Sequence, residues 1–158
     1  ITMKNKPEKF EINFYHLQSS FKNIAQSLCK KLTDKKVLIN LADEQEMIDL
    51  DKFLWTKDKN SFIPHKTFKD KIHLKDKLIL FYGDYIRMNR FVNFDILLVS
   101  PEVKIRKIMF FKKFFFFSYE SAHVNFYSRI TENLRKKIEL VKCFHEYETF
   151  KWKLIPNP

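Results

Sequence analysis

The sequence predicts an α/β fold, a three-layer sandwich in which helices flank a mainly parallel central sheet. Short apolar runs typical of buried strands alternate with longer segments whose apolar residues recur with helical spacing. The length of 158 residues fits one ordinary domain, which buries about two thirds of the surface of its unfolded chain. We expect that domain to span 10–150, preceded by an extension over 1–9 and followed by a tail over 151–158.

In the first half of the chain we expect a strand, a helix, a strand and a second helix. Apolar and polar residues alternate over 10–14, the period of a half-buried strand. A nearly continuous apolar run over 37–41 suits a strand covered on both faces. Helical spacing is found at Phe21, Ile24, Ala25, Leu28 and Leu32, and again at Met47, Leu50 and Leu54. The expected caps are Ser19 or Ser20 for the first helix, and a capping box of Asp43 and Glu46 for the second.

The second half continues the alternation. Residues 66–77 are polar and charged and predict a loop or short excursion. Strand-like apolar runs cover 78–82, 95–99 and 114–117. Ser100, Pro101 and Glu102 supply the cap, first position and first-turn acid of a helix that reaches Phe111. A last long helix is predicted from one apolar stripe, formed by Val124, Tyr127, Ile130, Leu134, Ile138 and Val141.

Glycine and cysteine usage argues against several kinds of site. Phosphate cradles need glycines, but Gly83 is the only glycine and the first strand-to-helix connection, 16–20, has none. We therefore expect a Rossmann-like sheet without a nucleotide-binding loop, and no cofactor. Cys29 and Cys143 have no paired spacing, and Cys143-x-His145 lacks two further ligands for zinc, so we expect isolated buried thiols and no metal.

The charge of the chain is informative only in part. Its net charge is +11, but 25 of the 30 basic residues are lysine, a bias that an AT-rich coding sequence also produces. The charge still favours anionic partners electrostatically. No apolar run approaches the roughly 18 residues that would span a bilayer, and the lysine-rich start has no apolar segment or cleavage site. We expect a cytoplasmic protein that does not enter the membrane.

The most informative local pattern is a tryptophan at the end of the second helix. Leu54 belongs on the buried stripe, and Trp55 points about 100° away from it, off the core. Pro64 fixes its own φ and favours an extended Ile63, so Phe62 and Ile63 would be presented on a stiff loop near Trp55. The alternative is that Trp55 and Phe62 are ordinary core aromatics.

The same stretch, LDxxLW followed after five residues by SFxPH, resembles the chi subunit of bacterial DNA polymerase III. The resemblance extends over most of the chain, at 14–17, 36–39, 50–55, 61–65, 95–98 and 119–120. It implies a non-catalytic accessory subunit of the clamp-loader assembly that contacts DNA only indirectly.

The resemblance also implies two binding sites. One binds the psi subunit and, by competition, a repair helicase; its residues would be Trp55, Phe62, Ile63, Pro64 and His65. The other would bind the acidic, phenylalanine-ended C-terminal tail of single-stranded DNA-binding protein through a basic helix. Its residues would be Arg129, Lys136, Lys137 and Arg135. From the charge pattern alone, a solvated basic helix end is favoured over a binding site.

Two other functions stay open at this stage. Basic and aromatic residues are interleaved over 110–114, and such a run can form a stacking platform for single-stranded nucleic acid. A small enzyme with convergent catalytic groups is the second alternative. Against it, the five histidines, at 16, 65, 73, 123 and 145, form no local ligand pair or triad signature.

Overall fold

A computed structural model of the chain describes residues 10–56, 63–83, 94–103, 113–119 and 138–155. These residues form one eight-stranded sheet and two helices. The strands are β1 (Phe10–His16), β2 (Val37–Leu41), β3 (Lys66–Thr67), β4 (Leu78–Tyr82), β5 (Ile96–Val99), β6 (Lys113–Ser118), β7 (Ile138–Glu148) and β8 (Lys151–Ile155). The helices are α1 (Phe21–Lys31) and α2 (Glu44–Thr56).

The sheet has the order β3-β4-β2-β5-β6-β1-β7-β8. Every neighbouring pair is parallel except β7 and β8, which form an antiparallel hairpin at one edge. The predicted α/β fold with a mainly parallel sheet is confirmed. Parallel strands need crossover connections, which explains the alternation of elements along the sequence.

Both faces of the central strands are buried. On one face, α1 and α2 pack against Val37, Ile39, Leu80 and Leu98. On the other, Leu38, Phe81, Leu97 and Phe114 are each completely inaccessible to solvent. Burial on both sides accounts for the continuous apolar runs of β2, β4, β5 and β6. No helix in the described part of the chain is long and apolar enough to cross a membrane.

The C-terminal part departs from the prediction. Ile138 and Val141 were expected to continue the apolar stripe of a helix, which is wrong, because both lie in β7. β7 pairs in parallel with β1 and antiparallel with β8, so long-range pairing overrides a helical spacing that β-branched residues also permit. Residues 151–155, expected as tail, form β8. The rest of the predicted stripe, 124–134, lies outside the described residues. The helix predicted to begin after Ser100 and reach Phe111 is not formed at its start, because Pro101 and Glu102 form a turn and the Ser100 hydroxyl donates to Glu46; residues 104–111 lie outside the described residues.

The predicted capping box at α2 is confirmed in one of its two bonds. Asp43 Oδ1 accepts the Glu46 N–H at 2.8 Å, as an N-cap side chain does. The reciprocal bond reaches one residue further back, because Glu46 Oε1 accepts the N–H of Ala42 at 3.0 Å. The same Glu46 oxygen also accepts the Ser100 hydroxyl at 2.7 Å and so ties α2 to the end of β5.

Candidate partner-binding site

Trp55 lies where α2 ends, and its side chain faces solvent. Met47, Leu50 and Leu54 form the buried stripe of the helix, whereas Trp55 is 54% exposed. The predicted direction of Trp55, off the core, is therefore confirmed, and the alternative that it is an ordinary core aromatic is wrong. A large aromatic side chain left half in water at a helix end is a candidate for contact with a partner.

The loop that returns toward Trp55 is only partly as expected. Pro64 is exposed, but Ile63 is 6% exposed and belongs to the core cluster that contains Leu50 and Leu54. The expectation that Ile63 is presented to a partner is therefore wrong, because its side chain anchors the loop to the core. Phe62 lies outside the described residues.

The ring of His65 packs against the ring of Trp55. Its ring centroid is 5.2 Å from that of Trp55, with an angle of 56° between the planes. His65 Nε2 lies 2.8 Å from Asp51 Oδ1, and Nδ1 lies 2.7 Å from the carbonyl oxygen of Ile63. Two acceptors thus fix the orientation of a side chain that is itself inaccessible to solvent. We call Trp55, Pro64 and His65 the aromatic patch.

Asp51 is the residue of this site that the sequence analysis missed. It lies four residues before Trp55, so both occupy one side of α2, and it holds the ring against which Trp55 packs. The signal was available in the sequence as an acid one turn before the tryptophan. A hydrogen bond to a charged group contributes roughly 1.5–3 kcal/mol, enough to keep the ring in one orientation.

A groove of about 1010 Å³ opens beside the aromatic patch. Trp55, Pro64 and His65 line one side of it, and the segment that leads from Asp70 to β4 lines another. Val37 and Leu78, the first residues of β2 and β4, also line it, so the groove lies at the amino ends of these strands.

A family model described as DNA polymerase III chi subunit, HolC, matches residues 10–133, well over half of the chain. The chain belongs to the DNA polymerase III chi subunit family. Chi is an accessory subunit of that polymerase, and the matched residues contain the whole aromatic patch. The strands β7 and β8 lie beyond the match. No curated protein matches the sequence.

The residues predicted for the second site belong to a segment that the structure does not describe. Arg129, Arg135, Lys136 and Lys137 all lie outside the described residues. The alternative stacking platform over 110–114 loses at least one member: Phe114 is completely buried in β6 and cannot stack on a base.

In this chi-family chain, backbone N–H groups of the loop that follows β1 donate hydrogen bonds to a side chain of the same protein, Glu146. Glu146 is completely buried, and its Oε1 accepts the N–H groups of Gln18 and Ser19, each at 2.7 Å. Its Oε2 accepts the Ser19 hydroxyl at 2.6 Å and the Phe150 N–H at 2.8 Å. A carboxylate of the chain thus occupies the place where α/β folds bind phosphate.

These hydrogen bonds determine the ionisation of Glu146. Burial acts to raise the pKa of its carboxyl, but the bonds from Ser19, Phe150 and Gln18 outweigh burial and hold the pKa below the usual value for glutamate.

The side-chain cap predicted for α1 is not formed. Ser20 occupies the N-cap position without a side-chain cap bond, and the Phe21 N–H donates to the Tyr119 hydroxyl.

Two histidines from the neighbouring strands β1 and β7 lie close together. His16 and His145 face each other with 2.8 Å between their Nδ1 atoms, and His16 Nε2 lies 3.1 Å from the Tyr119 carbonyl oxygen. The residues that the structure describes contain no group of three metal-ligating side chains. Cys29 and Cys143 are buried free thiols, as predicted, and burial raises the pKa of Cys29 to about 12.

Proposed function

We propose that this chi-family protein is a non-catalytic adaptor in the DNA polymerase III holoenzyme. It binds the psi subunit through the aromatic patch and Phe62, and the tail of single-stranded DNA-binding protein through the basic residues Arg129, Arg135, Lys136 and Lys137. By holding both partners it links the clamp loader to coated single-stranded DNA during replication. Family membership supports the assembly, and the identity of the two partners rests on the resemblance.

The observation that carries the psi-binding proposal is the support beneath an exposed tryptophan. Trp55 is 54% exposed, yet it packs on a buried His65 that Asp51 holds at 2.8 Å. An aromatic side chain that is exposed but already oriented loses little conformational freedom on binding, which favours tight contact. Such residues are the usual hot spots of protein interfaces.

The test compares Trp55→Ala and Phe62→Ala with Leu154→Ala. Leu154 is 58% exposed on β8, at the sheet edge opposite β3, and serves as a control for loss of exposed apolar surface. We expect each aromatic variant to weaken psi binding by roughly 2 kcal/mol or more and to keep its thermal stability. Titration of purified psi measures the former and thermal unfolding the latter.

The control variant should bind psi as the parent does. Loss of stability equal to the loss of binding in both aromatic variants would instead mean that the substitutions act by disrupting the fold. Unchanged psi binding in Trp55→Ala would refute the proposal for this site.

A further inference from the structure

The groove beside the aromatic patch has an uneven distribution of charge. Five lysines and three aspartates line it, and the aspartates are already bound within the chain. Asp51 holds His65, Asp70 Oδ2 accepts the Thr67 N–H at 2.9 Å, and Asp76 Oδ2 lies 3.0 Å from Lys66 Nζ. Asp76 also accepts the N–H of His73 at 2.6 Å.

The other four lysines are not neutralised in this way. Lys35, Lys71, Lys75 and Lys77 are exposed and form no ion pair within the described part of the chain. Composition explains why the protein has many lysines. It does not explain why the acids of this groove are engaged in backbone and side-chain contacts while its lysines face the solvent. The groove therefore presents a local excess of positive charge.

The apolar lining of the groove indicates what kind of anion fits. Leu32 is half-buried and, with the outer edges of the buried Val37, Ile63 and Leu78, gives the groove an aliphatic floor against which an apolar side chain can pack. Trp55 and His73 are the exposed rings of this lining and the rest of its apolar surface is aliphatic, whereas single-strand binding sites stack successive bases on a series of aromatic rings. Lysine ammonium groups around an aliphatic lining suit a peptide that combines carboxylates with an apolar residue.

We propose that this groove binds an acidic segment of the protein that docks on the aromatic patch. One apolar side chain of the segment packs on the aliphatic lining, and its carboxylates lie among Lys35, Lys71, Lys75 and Lys77. Trp55 lines the groove, so one partner can reach both surfaces. The identity of the docking protein rests on the proposed function, whereas the preference for an acidic peptide rests on the groove alone.

The test uses two double variants of the full chain with the same change in net charge. Lys75→Glu with Lys77→Glu alters the groove, and Lys151→Glu with Lys153→Glu alters β8, at the sheet edge opposite β3. The probes are a labelled peptide of aspartates and glutamates around one leucine, its asparagine and glutamine counterpart, and oligothymidylate. Purified psi is titrated in parallel, also into Trp55→Ala.

We expect the acidic peptide to bind the parent more tightly than its neutral counterpart, and to bind less tightly as salt is raised past roughly 0.15 M. The groove variant should lose about tenfold or more in affinity for both the peptide and psi, since it removes two attractive charges and adds two repulsive ones. The β8 variant should stay within about twofold of the parent.

Equal losses in the two double variants would overturn the proposal, because the effect would then be one of overall charge. Tighter binding of oligothymidylate than of the peptide, weakened by the groove variant, would assign the groove to nucleic acid instead. If Trp55→Ala loses psi and the groove variant keeps it, the inference fails and the proposed function stands. If Trp55→Ala keeps psi, the proposed function fails, and the peptide titration alone decides what the groove binds.

Discussion

Replacing Glu146 tests how the loop after β1 is held. Glu146→Ala removes the acceptor of the N–H groups of Gln18, Ser19 and Phe150 and of the Ser19 hydroxyl. A buried donor left without a partner costs about 1–3 kcal/mol. Gln18 and Phe150 are exposed residues, so water can reach part of the vacated site, and we expect the low end of the sum over three N–H groups, about 3 kcal/mol.

Glu146→Gln should cost less, because its shape is almost unchanged. The amide oxygen can still accept from Gln18 and Ser19, and the Ser19 hydroxyl can rotate to accept from the new amide. Only the Phe150 N–H then faces another donor, at a cost of roughly 1–2 kcal/mol. Thermal and urea unfolding measure both variants, and about 3 kcal/mol corresponds to a fall in Tm of roughly 6–12 °C for a domain of this size.

The pH dependence provides an independent check. Because the folded-state pKa of Glu146 is lowered, its stabilising effect is complete above the unfolded-state pKa of about 4.3 and is lost as pH falls through the folded value. The difference in unfolding free energy between parent and Glu146→Gln should therefore be largest near neutral pH and shrink below about pH 4. Glu148→Gln, two residues away with a 61% exposed side chain, is the control. A stable Glu146→Ala protein, or an equal loss in the Glu148 variant, would refute this account of the loop.

Three further predictions concern the binding sites and a helix end. Arg129→Glu should abolish binding of an acidic peptide that ends in a phenylalanine carboxylate and leave psi binding intact. Lys136→Ala should weaken peptide binding less, because an ammonium lacks the planar fork of a guanidinium. Unchanged peptide binding in Arg129→Glu would place the site elsewhere. Asp51→Ala should reduce both stability and psi affinity by about 1–3 kcal/mol, since it releases the His65 ring that packs against Trp55, and Asp51→Asn should cost less. Equal psi affinities for the parent and the Asp51→Ala variant would contradict this supporting role of Asp51. Asp43→Ala should lower the free energy of unfolding by about 1 kcal/mol through loss of the α2 cap, with no effect on psi binding in the same titration.

Local patterns in the sequence were sufficient wherever one face or one cap determines the outcome. The buried stripe of α2, the outward direction of Trp55 and the Asp43 cap all follow from helical geometry over a few residues. The strands β2, β4 and β5 were predictable because burial on both faces requires continuous apolar runs.

The features that were missed depend on contacts between distant parts of the chain. Ile63 turns inward because it joins a core built from α1, α2 and four strands, which the proline-based local argument does not include. β7 is a strand because β1 and β8 pair with it, although its first residues also fit a helical spacing. The role of Glu146 is of the same kind, since its partners at Gln18 and Ser19 are more than a hundred residues away.

The two ends of the sheet differ in a way that bears on function. Parallel α/β sheets usually bind ligands at the carboxyl ends of their strands, where loop N–H groups are available. In this protein Glu146 accepts hydrogen bonds from the N–H groups of the loop after β1, and Glu46 accepts one from the N–H of Ala42, which follows β2. Trp55 and the groove lie instead at the amino ends of β2 and β4, because α2 returns from the carboxyl end of β2. At that end exposed side chains, rather than backbone donors, form the surface, and such a surface is suited to recognise another protein.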